Sequence, residues 1–200
     1  MNWISVRRFG LVALASLGLA ACGINSVPTA EENAKAKWAD VEAQFQRRAN
    51  LIPNLAEVAK GAAENERAIL TEVTEARAKA TSVNVTADDL GNAEKMNEFA
   101  AAQSQMSAGI GRLLASFEAY PQITSTQGYI TLQSQLEGTE NRIAVAIRDY
   151  NEAVRQYNTT IRTFPDIIGA KIVHGAEPLV PYEAATEGAE VAPELDMTSN

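Results

Sequence analysis

Apolar side chains recur along this chain at alternating steps of three and four. From Trp38 one stripe runs through Val41, Phe45, Ile52, Leu55, Ala59, Ala62, Ile69, Val73, Ala76 and Ala80, with Arg48 and Glu66 at the same phase. A second stripe joins Met96, Phe99, Met106, Ile110, Leu113, Phe117 and Tyr120, with Gln103 as its polar member. A third joins Tyr129, Leu132, Leu136, Ile143, Ile147, Tyr150, Val154, Tyr157, Ile161 and Phe164, and slips by one extra step of four at Glu140. This spacing puts each set on one face of an α-helix, and three such faces bury their apolar surface only against one another. The pattern predicts an all-α fold, an antiparallel up-and-down bundle of three long helices. Thr86 suits an N-cap ahead of Asp88 and Asp89, Ser125 or Thr126 suits another, and Tyr120-Pro121 and Phe164-Pro165 end helices. The short connections make neighbouring helices antiparallel.

Lengths then raise a difficulty. At 1.5 Å per residue a helix over residues 31–80 is roughly 75 Å long, against roughly 48 Å and 58 Å for the other two. Residues 31–47 would overhang with Trp38, Val41 and Phe45 uncovered. Pro53 removes a helix hydrogen bond and costs about 3 kcal/mol in a helix interior, but little in a first turn. Asn50 suits an N-cap there, and Arg47 and Arg48 suit a preceding helix C-terminus. The first helix is therefore expected to break or kink near Pro53, giving four helical segments with residues 31–49 folded back. The unbroken three-four phase would instead permit a nearly straight rod.

The N-terminus has a different character. Arg7 and Arg8 precede an apolar run from Phe9 to Leu19, and Ala20-Ala21 precede Cys22, the single cysteine. This is the three-part pattern of an export signal, and the run is short for a bilayer span. Leu19-Ala20-Ala21-Cys22-Gly23 closely resembles a bacterial lipobox. The resemblance implies cleavage after residue 21 and acylation of Cys22, and Gly23 in place of an aspartate favours the outer membrane. Residues 1–21 are thus read as a lipoprotein signal peptide, 22–30 as a lipidated terminus and tether, 31–182 as the bundle with a short C-terminal appendage, and 183–200 as an acidic disordered tail. Within the appendage Pro178–Tyr182 is expected to pack on the bundle as extended chain. Net charge is −8 over 200 residues, and loss of Arg7 and Arg8 would take it to −10. Such a chain is a poor partner for nucleic acid or for anionic lipid by charge alone.

Candidate chemistry is sparse. The one histidine, His174, is read as a surface residue, and no Glu-x-x-His pair offers a metal site, so no metal or cofactor is expected. Arg48 on the first seam is read as half of a structural ion pair, and hairpin register puts it beside Glu118. Glu66, Gln103 and Glu140 are expected to form a polar layer, with Arg142 nearby. Two carboxylates there would be acid–base candidates, but no nucleophile or phosphate-binding loop accompanies them. Tyr150, Asn151, Tyr157 and Asn158 repeat at seven, the tyrosines as seam residues whose hydroxyls need partners. Ala59, Gly61, Ala62 and Ala63 permit close helix approach.

Several stretches together resemble the LemA family of bacterial envelope proteins over residues 36 to about 182. They are Arg47-Arg48-x-Asn50-Leu51-Ile52-Pro53-Asn54-Leu55, Val73-Thr74-Glu75-Ala76-Arg77, Glu118-Ala119-Tyr120-Pro121, Thr139-Glu140-Asn141-Arg142-Ile143, Asp149-Tyr150-Asn151-x-Ala153-Val154, Tyr157-Asn158 and Phe164-Pro165. The resemblance implies a helical bundle with a membrane-proximal N-terminus. It carries no catalytic residue, and the lipobox stands here where relatives commonly have a transmembrane helix. The expected role is a non-enzymatic, membrane-anchored scaffold or adaptor in the periplasm. Its partners would be other envelope proteins, membrane proteases among the candidates, or further copies of itself. The alternative is a carrier of lipid or another hydrophobic ligand between helices.

Overall fold

The computed structural model describes the backbone of residues 3–58 and 64–184, and the side chains of residues 25–58 and 67–184. Among the described residues the regular structure is entirely helical. Four helices are long: α1 (Trp3–Val58), α2 (Glu64–Ser82), α3 (Ala93–Phe117) and α5 (Gln127–Thr160); α4 (Pro121–Thr124) and α6 (Asp166–Gly169) are single turns. A 3₁₀ turn spans Ala87–Asp89 and a π-helical turn spans Ala170–His174.

The ends of these helices follow from local chemistry. Asn92 caps α3 by accepting from the amides of Glu94 and Lys95, and Thr126 caps α5 by accepting from the amide of Tyr129. Thr86, expected to cap the long helix, instead opens the 3₁₀ turn. Its amide and hydroxyl both donate to the Asp89 carboxylate. Lys95 and Thr86 together hold that carboxylate well down, at about 2. Tyr120 and Pro121 stop the chain after α3 as the sequence predicts, with Pro121 in the first position of α4. Gly175 closes the π turn in the left-handed conformation, φ 57°, where glycine carries no Cβ penalty.

The expectation of three long helices with a break near Pro53 is corrected. α1 runs through Pro53 and ends at Val58, so residues 31–49 do not fold back. Asn50 is no N-cap: it lies mid-helix and its side chain accepts from Gln46. Two observations explain the continuity. Pro53 faces solvent, and the Ala49 carbonyl, which loses its amide donor to the proline, accepts from Arg77 Nε of α2 at 2.8 Å. The overhang is resolved differently as well. From Val27 onward α1 pairs antiparallel with α5, with Val27 against Tyr157, Trp38 against Tyr150, Arg48 against Glu140 and Val58 near Gly128. α2 pairs antiparallel with α3, where Gly109 lets the chains approach so closely that a Cβ would stand 3.1 Å from Val73 Cγ2.

The core accordingly has two halves. One is a four-helix packing of Ile52, Leu55, Val73, Met106, Leu113, Phe117, Leu132 and Leu136. In the other, α1 and α5 are covered by the start of α3, the 83–92 connection and the C-terminal chain. Trp38, Phe45, Phe99, Tyr150 and Tyr182 meet there with ring centroids 5.1 to 6.4 Å apart. Trp38 Nε1 donates to the Val85 carbonyl at 2.9 Å. Each large apolar side chain fully removed from water contributes about 1.5–3 kcal/mol.

Most described members of the predicted stripes are buried, with Ile69, Ala76, Tyr120 and Ile147 half-buried, and two positions depart from the pattern. The third seam does not slip at Glu140: Thr139 is the buried member between Leu136 and Ile143, and Glu140 sits at the seam edge. Phe164, expected in the seam, lies beyond the end of α5 and is 79% exposed. The backbone of residues 22–30, read as a lipidated terminus and tether, belongs to α1, and Val27 is fully buried against Tyr157, Ile161 and Ala170. The side chains of Cys22 and Glu66, the small residues Ala59 to Ala63, and the acidic tail from residue 185 lie outside the described residues.

Candidate functional site: a groove between two helices

α3 and α5 are held apart by α1 beneath them, which leaves a groove of about 640 Å³. Its walls carry Ala101, Ala108, Ile143, Ala144 and Ile147, and its floor is Phe45 and Arg48 of α1. Arg48 is 2% exposed, so its guanidinium must be satisfied from within. Nη2 donates to the Gln103 carbonyl at 3.1 Å and to Gln103 Oε1 at 2.9 Å. Nη1 donates to Ser107 Oγ and to Glu140 Oε1, the latter at 3.1 Å. Gln103 Nε2 in turn donates to the Ala80 carbonyl at 3.3 Å, so one polar layer ties α1, α2, α3 and α5 together. Arg48 Nε has no hydrogen-bond partner among the described residues; the guanidinium carbon lies 5.0 Å from the Phe45 ring centroid, a cation–π distance.

The expected partner of Arg48 was therefore misplaced. Glu118 is exposed at the end of α3, and the ion pair is with Glu140. The expected polar layer holds Gln103 and Glu140. Arg142 is not part of it and donates instead to Thr139 Oγ1. Ser107 was missed, although it lies one helical turn past Gln103 on the same face.

At one end the groove receives the chain's own C-terminal segment. Asn158 Nδ2 donates to the Leu179 carbonyl while Asn158 Oδ1 accepts the Leu179 amide, at 2.8 and 2.9 Å. Asn151 treats Tyr182 in the same way, at 2.9 and 2.8 Å. Tyr150 Oη donates to the Val180 carbonyl, and the Val180 amide donates to the Leu90 carbonyl, both at 2.8 Å. The Tyr182 ring then enters the aromatic cluster, and burial pushes its phenol up to about 12. Burial also pushes the Tyr150 phenol well above its ordinary value. The heptad repeat of asparagines is thus a pair of clamps on extended backbone.

The remaining signature residues are distributed. Tyr157 is buried in the small cluster with Val27. Arg77 satisfies the carbonyl freed by Pro53. Arg47, Glu75 and Asn141 are exposed, away from the polar layer, and Tyr120 is half-buried at the α3–α4 corner. Among the described residues no three His, Cys, Asp or Glu side chains converge to hold a metal ion, and no helix is long and apolar enough to cross a membrane.

A family model described as the LemA family matches residues 37–196. Magnetosome proteins MamQ 1 and MamQ 2 of Paramagnetospirillum magneticum are each 28% identical over 157 residues, and MamQ of Magnetospirillum gryphiswaldense is 27% identical over 157 residues. Each alignment covers 70% of this chain and 58% of the relative, so the chain matches little more than half the length of these proteins. On the extent of the family match, the chain belongs to the LemA family.

Proposed function

We propose that this chain is a membrane-anchored adaptor of the bacterial cell envelope, which holds extended segments of other envelope proteins in the α3–α5 groove. Acyl chains on Cys22 supply the anchor in this reading, on the periplasmic side and by preference at the outer membrane. The observation that carries the proposal is the clamping of Leu179 and Tyr182 by Asn158 and Asn151. A bundle face that binds the backbone of one extended chain, and then continues as a groove with buried donors at its floor, has the means to bind another. The MamQ relatives are named as magnetosome proteins. The groove also favours a peptide over the alternative cargo, a lipid. Arg48, Gln103 and Glu140 line its floor and wall, and an acyl chain would leave them facing hydrocarbon.

The test is site-specific photocrosslinking in intact cells, with the reactive residue at Ala108 or Ala144 in the groove and at Gln133 on the outer face of α5. The reading expects adducts to envelope proteins from the two groove positions, reduced by excess peptide of the sequence of residues 176–184. Equal adducts from Gln133, or the uncrosslinked chain alone, would sink it.

A further inference from the structure

We propose that the corner formed by the end of α5, α6 and the π turn is a second membrane contact, inserted into the bilayer beside the Cys22 anchor. The proposal rests on the anchoring reading for the side of the molecule that faces the membrane, and on the geometry for the contact itself. Phe164, Ile168, Ile172 and Val173 are 79%, 49%, 78% and 57% exposed, and all four fall within one short stretch of chain. Scattered exposed apolar residues are ordinary, whereas a cluster of large ones marks an interaction surface. The cluster is not a loose end. Ala170 is fully buried against Val27, Tyr157 and Ile161, α6 and the π turn pack on α1, and Ser26 Oγ donates to the Asp166 carboxylate.

That last contact places the corner. Ser26 follows Cys22 by one turn of α1, an axial distance of about 6 Å. Acyl chains on Cys22 would enter the bilayer within reach of the exposed side chains. A lipid surface is therefore the occupant these positions favour. Insertion by about 5–10 Å, as for other interfacial segments, would bury Phe164, Ile168, Ile172 and Val173. The exposed Arg162 and Lys171 flank the cluster, where long basic side chains reach headgroup phosphates. The Asp166 carboxylate is occupied by Ser26.

The experiment uses the full chain carrying Ile172→Cys or, at the opposite end of the bundle, Gln122→Cys, each labelled with an environment-sensitive fluorophore. The proteins are reconstituted in vesicles of phosphatidylethanolamine and phosphatidylglycerol in equal parts, with and without lipids bearing a nitroxide in the acyl region. Intact mass reports acylation of Cys22, and circular dichroism reports folding. The proposal expects a blue shift at position 172 and quenching there at least about twofold stronger than at 122. Equal, water-like emission at both positions in an acylated chain overturns the contact while leaving the anchor in place. A blue shift without lipid quenching means that the label is covered by its own chain or by a second copy, and also overturns it. An unacylated Cys22, whose free thiol would take the label too, removes the anchoring reading; the same variant with Cys22→Ser, bound to vesicles, then upholds the contact if position 172 is quenched and overturns it if not.

Discussion

Arg77 should matter to this fold only because Pro53 is there. Proline at position 53 withdraws the amide that would bond the Ala49 carbonyl, and Ala49 is buried. A buried acceptor without a donor costs about 1–3 kcal/mol, and a bond from a charged donor is worth about 1.5–3 kcal/mol. Arg77 is half-buried, which admits some replacement by water. Arg77→Ala is therefore expected to cost about 2 kcal/mol, a fall of roughly 4–8 °C in Tm for a chain of this size. In a Pro53→Ala background the amide of residue 53 regains the Ala49 carbonyl, and the same Arg77→Ala change should cost less than about 1 kcal/mol. The coupling energy of the cycle is then about 1–1.5 kcal/mol. Thermal unfolding of the four proteins in one detergent, followed by far-ultraviolet circular dichroism, measures it. An Arg77→Ala cost that is the same with and without the proline would refute the reasoning and leave Arg77 as a packing residue.

Two further outcomes follow from the groove. Arg48→Ala strips donors from Gln103, Ser107 and Glu140 at once and is expected to cost about 3–5 kcal/mol, whereas Glu140→Gln should cost about 1 kcal/mol because the Glu140 side chain is 50% exposed; denaturant titration of both variants tests the asymmetry. The Tyr182 phenol, held up to about 12 by burial, stays neutral in the folded state over a range where the unfolded chain ionises. The Tyr182 contribution to stability is constant below pH 10 and is lost as pH rises from about 10 to 12, by up to about 2–3 kcal/mol. The loss should appear first as proteolytic sensitivity of residues 176–184, and Tyr182→Phe should reduce the pH dependence without removing it, because burial also raises the Tyr150 phenol; a chain whose segment stays protected to the alkaline limit contradicts the assignment.

Helical periodicity is a local property, and the seams from Trp38 to Leu55, Met96 to Phe117 and Tyr129 to Ile161 were accordingly legible in the spacing of side chains. What escaped was set by contacts distant along the chain. Pro53 argues for a break on local grounds, and only a donor arriving from α2 makes the continuous helix tolerable. Glu140 looks like a slip in phase because a threonine, whose hydroxyl bonds the Gln135 carbonyl, is not counted as a core residue. Glu118 was paired with Arg48 by assuming that α3 folds back on α1. α3 packs instead with α2, and α1 pairs with α5, so Glu140 arrives at the arginine. Asn151 and Asn158 announced themselves by their repeat, but amide side chains do not reveal what they bond. Extended packing of Pro178–Tyr182 was anticipated, and its partners were not.

The two asparagine clamps have a metrical consequence. Seven residues of α-helix advance about 10.5 Å, and three residues of extended chain advance about 10 Å. Asn158 and Asn151 are separated by the first interval, Leu179 and Tyr182 by the second, so helix and ribbon keep step like the two scales of a vernier. Each amide reads only main-chain atoms, which makes the grip indifferent to the side chains at the gripped positions. It is intolerant of length: one residue added between Leu179 and Tyr182 would put the second clamp out of phase with its rung.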